Sequence, residues 1–328
     1  MTISTGAEPL SGRTPWAARR RDVVLYLGVA YAGMWLAMLP LLVAGYRRGD
    51  AREGTGLLEE LCIGAAMFAP ALGAVVAVRY VRGGGGGVGR VREALALRWP
   101  RPWGRAVREC LTAVAVPAGL TAAALALGAL AGRYPVGEVG LGDVTGWAAG
   151  GLVGMVLSLP LFFGEELGWQ GYLFPRLLRG DGRTRPLRAY LLTGAAFALW
   201  HLPMLLMGGQ YPGRSWYVSV PAMVVSCTLV LPVLTWLRLR SGSVVPAVVA
   251  HAFVSSLGVG MVKRFAAPGA ALDPLHMGLT GWPGWIVLAA FVAFLARTGR
   301  LRPVDGTRTG AGAGARTDAS GPAVLDRF

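Results

Sequence analysis

Residues 161–174 read LFFGEELGWQGYLF. Glu165 and Glu166 sit side by side in an oily run that would otherwise pass for a membrane helix. A carboxylate in hydrocarbon is costly and two are worse, so ionisable groups at membrane depth face a bundle interior or a wet cavity. The stretch thus asks what surrounds it and what the acids face.

The surroundings are apolar. Of 328 residues, 54% are hydrophobic and only 15% are charged. A soluble domain carries about a quarter charged residues. Mean hydropathy is +0.51, and the apolar residues gather in runs of about 20, the length of a spanning helix. The fold class is all-α: a polytopic membrane protein with about eight transmembrane helices.

The spans are read as 23–46, 57–81, 107–131, 144 through Pro160 into the opening stretch, 189–207, 216–237, 244–262 and 282–296. An arm, 1–22, precedes them. Its MTISTGAEPLSGRTPWAARRRD runs into an apolar stretch longer than a signal-peptide core, which reads as an uncleaved first span. Residues 23–143 hold the first spans and a Gly/Arg-rich cytoplasmic loop, 82–106. A core follows at 144–262, then a last outer loop and helix at 263–298. The tail, 299–328, is expected to be disordered.

Charge orients the chain. The net charge is +15, which in a soluble protein would suggest nucleic acid. Here the basic residues lie in short loops, so no nucleic-acid partner is expected. With an even number of spans, about 25 of the 32 basic residues fall on the side that holds both termini. That side is the cytoplasm, and the expected location is a bacterial plasma membrane. The glycines of RGGGGGVGR, residues 82–90, lack the GxxxxGK[ST] context of a phosphate cradle and read as a linker. Cys62, Cys110 and Cys227 each lie in an apolar run and read as core residues, not a disulfide framework. Glu59, Glu60 and Glu109 fall at span ends, where a carboxylate is expected to lie near water, and His276 falls in an outer loop.

Three ionisable places remain inside spans: Glu165-Glu166, His201 in AAFALWHLPMLL, and His251 in VVPAVVAHAFVSSL. Each lies 11 to 13 residues from a cytoplasmic Arg: Arg176, Arg188 or Arg240. At ~1.5 Å per residue this puts all three roughly 16–20 Å deep, so one shared pocket open to the cytoplasm is expected. Local spacing agrees. Glu166 and Gln170, Glu165 and Trp169, Phe197 and His201, and His251 and Ser255 are each i, i+4 pairs that share a helix face. Pro160 and Gly164 are expected to weaken the fourth helix just before the acids.

A carboxylate in a partly dry pocket can act as a general base toward water. One imidazole can hold that water. A second, with a hydroxyl one turn away, can donate to an oxyanion. That set suits hydrolysis of a peptide bond. The same Glu165, His201 and His251 also form a donor set that zinc can use, although HExxH is absent. The residues do not choose between the two, and no cofactor is certain.

These motifs resemble those of the CAAX prenyl protease and bacteriocin-processing (CPBP, or Abi) family of intramembrane endopeptidases. That family carries EExxxR, FxxxH and HxxxN or a similar polar ending on successive core helices. Here they stand as Glu165-Glu166-Leu-Gly-Trp-Gln170, Phe197-Ala-Leu-Trp-His201 and His251-Ala-Phe-Val-Ser255, within about 145–262. The resemblance implies that Glu165 activates water beside His201. It implies that His251 and Ser255 stabilise the oxyanion, and that Glu166, Gln170, Trp169 and Phe197 shape the pocket. The implied partners are the bilayer and a membrane-associated peptide or protein substrate. Gln170 stands where Arg is usual and Ser255 where Asn is common. Gln can bond a carboxylate but brings no positive charge. These departures keep open an alternative, a catalytically inactive membrane scaffold or immunity protein of the same fold. A proton-coupled transporter is the third reading, without the internal repeats it would usually show.

Overall fold

The computed structural model describes residues 16–48, 56–81, 91–92, 94–178 and 186–301. The glycine-rich segment 82–90 lies outside them, as does the tail beyond Leu301. Among the described residues, regular structure is helical apart from one isolated antiparallel bridge between Val136 and Ala266.

The chain opens with α1, Trp16–Val43, and α2, Gly56–Val81. Then come α3, Trp103–Leu130, and α4, Leu141–Glu166. From α4 the chain passes without interruption into a π-helical segment, Leu167–Leu173, and then α5, Phe174–Leu178. Next are α6, Pro186–Trp200, and the short α7, Leu202–Leu206. The long α8, Trp216–Ser241, precedes α9, Val245–Phe253. A second π-helical segment, Val254–Gly258, joins α9 to α10, Val259–Arg264. The last helix is α11, Trp282–Arg297.

Among the described residues, six helices are long and apolar enough to cross a membrane: Arg20–Val43, Gly56–Tyr80, Trp103–Leu130, Leu141–Leu178, Trp216–Ser241 and Val245–Arg264. The chain is therefore built as a polytopic membrane protein. The other two apolar segments differ from a plain span. The segment read as 189–207 is broken at His201, between α6 and α7. The last is an apolar helix of 16 residues.

Two further expectations are corrected. The first helix starts at Trp16, seven residues before the expected span, so the arm 1–22 is helical at its end. Pro160 does not break α4, which runs through it to Glu166. Neighbouring helices in a bundle tolerate proline in this way. The irregular backbone comes after the acids instead of before them.

Side-chain placement on α1 shows how an all-apolar helix chooses its faces. Tyr26, Ala30, Met34 and Met38 recur every fourth residue and are buried, while Leu36, Leu39 and Val43 point outward. One face meets protein and the other suits lipid. The buried face joins a core cluster that includes Ala66 and Ala74 of α2, Trp169, Phe197, Trp200 and Phe253. A second cluster, with Ala113, Tyr190, Leu234, Ala247 and Leu295, ties α3, α6, α8, α9 and α11 together.

Ion pairs staple one end of the bundle. Buried Asp22 of α1 pairs with Arg176 of α5. Glu109 of α3, expected near water, is only 1% exposed and lies 2.7 Å from Arg240 Nε of α8. A charge this well buried needs such a partner. At the other end, the loop before α11 folds back onto the helices. Tyr211 donates to the Thr280 carbonyl at 2.9 Å, and Trp285 donates to Ser226 Oγ at 2.8 Å. His276 of that loop lies 2.6 Å from Asp273, which also pairs with Arg214. Burial opposes ionisation of Asp273, yet the Leu275 N–H, Arg214 and His276 together hold its carboxyl below the ordinary value. The three thiols are free, and Cys62 and Cys227 are buried.

Candidate active site

Glu165 and Glu166 end α4 in the densest part of the bundle, 3% and 0% exposed. Three other helices face them. His251 comes from α9, His201 caps the start of α7 just after α6, and α8 closes the side. The central contact is between helices: His251 Nδ1 lies 2.8 Å from Glu166 Oε1. Phe162, one turn before Glu166, packs on the His251 ring at 4.6 Å between centroids. Carboxylate and aromatic together fix the orientation of that imidazole.

His201 is held differently. Its Nδ1 lies 2.9 Å from the Phe197 carbonyl. A carbonyl only accepts, so this nitrogen carries the proton and Nε2 is left with its lone pair. The break between α6 and α7 makes this possible. Phe197 lies 5.0 Å from the His201 ring and 5.7 Å from the His251 ring, so one aromatic supports both imidazoles. Trp200 meets His201 edge-on at 4.8 Å and is anchored through Nε1 to the Ala30 carbonyl of α1 at 3.1 Å. Trp169 completes the wall, 5.2 Å from Phe197 and 6.0 Å from Trp200.

The acids retain unused capacity. Glu165 Oε2 and Glu166 Oε2 are buried without a hydrogen-bond partner. Buried polar atoms in folded proteins are nearly always bonded, and each orphan costs about 1–3 kcal/mol. Orphans concentrated at one place mark a site poised for a water or a substrate atom.

Two residues placed here by sequence spacing behave otherwise. Gln170 is fully buried, but its Oε1 accepts from Thr235 Oγ1 of α8 at 3.0 Å, with no bond to either acid. Ser255 is exposed, while the hydroxyl of its neighbour Ser256 lies 3.2 Å from that of Ser158. Both lie in π-helical segments, Leu167–Leu173 and Val254–Gly258. A π turn holds more residues than an α turn, so a residue four positions on no longer lies over its partner. Phe162, Trp200 and Thr235 were not singled out by sequence reasoning. Phe162 had a usable signal, its i, i+4 spacing to Glu166. Thr235 had none.

Metal binding needs three or four donors converging on one point. Among the described residues, no three His, Cys, Asp or Glu side chains converge in that way. Each imidazole engages Nδ1, one with Glu166 and one with the Phe197 carbonyl, which leaves Nε2 as the nitrogen available for other contacts.

Comparison with known proteins concerns the part of the chain that holds these residues. Residues 145–257 match the family described as Rce1-like, type II CAAX prenyl endopeptidase. CAAX prenyl protease 2 of Methanococcus maripaludis is 28% identical over 95 residues, which are 28% of this chain and 34% of that protein. The similarity thus spans about a third of the relative's length. The matched stretch contains both acids, both imidazoles, Phe197 and Ser255.

Proposed function

We propose, starting from the CPBP-family stretch at residues 145–257, that this chain is an intramembrane endopeptidase that hydrolyses a peptide bond of a membrane-associated peptide or protein. The observation that carries the reading is the buried Glu166–His251 pair at 2.8 Å, beside a second carboxylate with a free oxygen. A structural ion pair would need no second acid next to it.

The roles follow from which atoms are free. Glu165 takes a proton from water as general base, and the oxygen of that water attacks the scissile carbonyl. The free Nε2 of His201 orients the water. His251, held by Glu166, presents its other nitrogen to the oxyanion that forms. Collapse of the tetrahedral intermediate breaks the C–N bond, and the proton on Glu165 passes to the leaving amine. The exposed Ser255 hydroxyl takes no part in these steps. The protein sits in a bacterial plasma membrane with both termini in the cytoplasm, toward which the pocket opens.

The test uses purified protein in lipid nanodiscs and a library of quenched fluorescent membrane peptides. Glu165→Gln should lower cleavage by about 100-fold or more, the typical share of a general base, with folding and insertion unchanged. A chelator should leave wild-type cleavage intact. Equal cleavage by Glu165→Gln would remove Glu165 from the reaction. Loss of cleavage to the chelator would replace the metal-free route with a metal-held water.

A further inference from the structure

The matched stretch does not supply every wall of the site. Tyr26 of α1 lies well outside it, yet is fully buried, and its hydroxyl has no hydrogen-bond partner. Its place is well defined. The ring stands edge-on to Trp169 at 5.8 Å and lies 5.0 Å from Tyr172. Its hydroxyl presses on the backbone of the first π segment: a Cβ added at Gly168 would come within 2.7 Å of it. Gly168 follows Glu166 by two residues.

The unpartnered atoms nearby are complementary. Tyr26 Oη, Tyr172 Oη and Trp169 Nε1 are buried donors without acceptors, and Glu165 Oε2 and Glu166 Oε2 are buried acceptors without donors. Both glutamates also lie within electrostatic reach of Tyr26. Tyr31, five residues along α1, shows the contrast: its hydroxyl already donates to the Ala196 carbonyl at 2.7 Å. Packing alone would explain a phenylalanine at position 26. A buried hydroxyl needs an acceptor, and of the unpartnered buried acceptors the acid pair is the one within electrostatic reach of Tyr26.

We propose that Tyr26 is a positioning residue of the active site, donating a hydrogen bond through one bridging water to the Glu165–Glu166 pair. It acts on the reaction through the acids and touches no reacting atom. It sets which carboxylate oxygen stays free for the attacking water. Only the kinetic arm of its test rests on the endopeptidase reading.

The experiment compares wild type, Tyr26→Phe and Tyr31→Phe by infrared spectroscopy with 13C-labelled glutamate, in nanodiscs. Bands of the acid pair are assigned by their loss in Glu165→Gln and Glu166→Gln. Tyr26→Phe should move those bands and Tyr31→Phe should not. In cleavage assays, Tyr26→Phe should lower kcat on the order of tenfold with KM held within about twofold, as expected for loss of one hydrogen bond that orients the base. Should Tyr26→Phe fail to insert, a fluorotyrosine at position 26 keeps the packing, strengthens the donor and must move the same bands the opposite way. Unmoved bands overturn the proposal whether or not the protein cleaves anything. Moved bands with unaltered kcat keep the hydrogen bond but overturn its positioning role in the reaction. Moved bands in a wild-type protein that cleaves no peptide uphold the hydrogen bond and count against the endopeptidase reading alone.

Discussion

Gln170 shows how far a single residue can be read. Its spacing from Glu166 placed it on the acid face, and the structure instead bonds it to Thr235. Thr235→Val should then leave the buried Gln170 oxygen without a donor, at a cost of about 1–2 kcal/mol. The check is the thermal unfolding midpoint in detergent, and an unchanged midpoint would mean the bond is not formed. The acids and imidazoles were legible because ionisable groups are scarce in apolar helices, so each occurrence stands out. Their shared depth was legible from helical rise and the flanking arginines. Which acid meets which imidazole was not. The pairing of His251 with Glu166, not Glu165, depends on how α9 is rotated against α4. Tyr26 was hidden for a different reason: an aromatic in an all-apolar helix gives no periodic contrast.

Among the elements, α4 carries most of the design. Two contacts, one of α4 and one of the π-helical segment that continues it, require glycine. A Cβ at Gly164 would come within 2.6 Å of the Met67 carbonyl, and one at Gly168 would run into Pro70. The sequence suggested that Gly164 loosens the helix. The structure uses it to bring α4 and α2 together, as small residues do between membrane helices. Gly164→Ala should therefore destabilise by roughly 1–3 kcal/mol through overpacking. Gly154, with no atom within 4 Å of an added Cβ, is the matched control. Equal midpoints for Gly164→Ala and Gly154→Ala would show that the helices do not meet there. Helix existence was readable from hydropathy in every segment. The π-helical segments were not, because residues 164–174 are buried on all sides and offer no face from which a period could be counted. The spacings that fail, Glu166 to Gln170 and His251 to Ser255, both run into a π-helical segment. The spacing from Phe197 to His201, which runs into no π-helical segment, holds.

For the whole molecule, the asymmetry of basic residues makes a topological prediction. In a variant lacking the native cysteines, Arg101→Cys and Glu138→Cys place thiols at exposed positions at opposite ends of α3. A membrane-impermeant maleimide on intact cells should label position 138, and position 101 only after permeabilisation; the reverse pattern would invert the proposed orientation. Eight spans were expected, whereas the described residues hold six helices long and apolar enough to cross and one shorter apolar helix. At ~1.5 Å per residue, the 16 residues of α11 reach only about 24 Å. A typical hydrocarbon layer is about 30 Å thick. Trp282 and Trp285 stand at the start of this helix, residues that favour the level of the lipid headgroups. Lipid beside a spanning α11 would meet a wall several ångströms too short, a mismatch that thinning of the bilayer relieves. A fold of this kind would sculpt its own solvent, drawing water and headgroups closer to the bundle beside α11 than elsewhere around its rim.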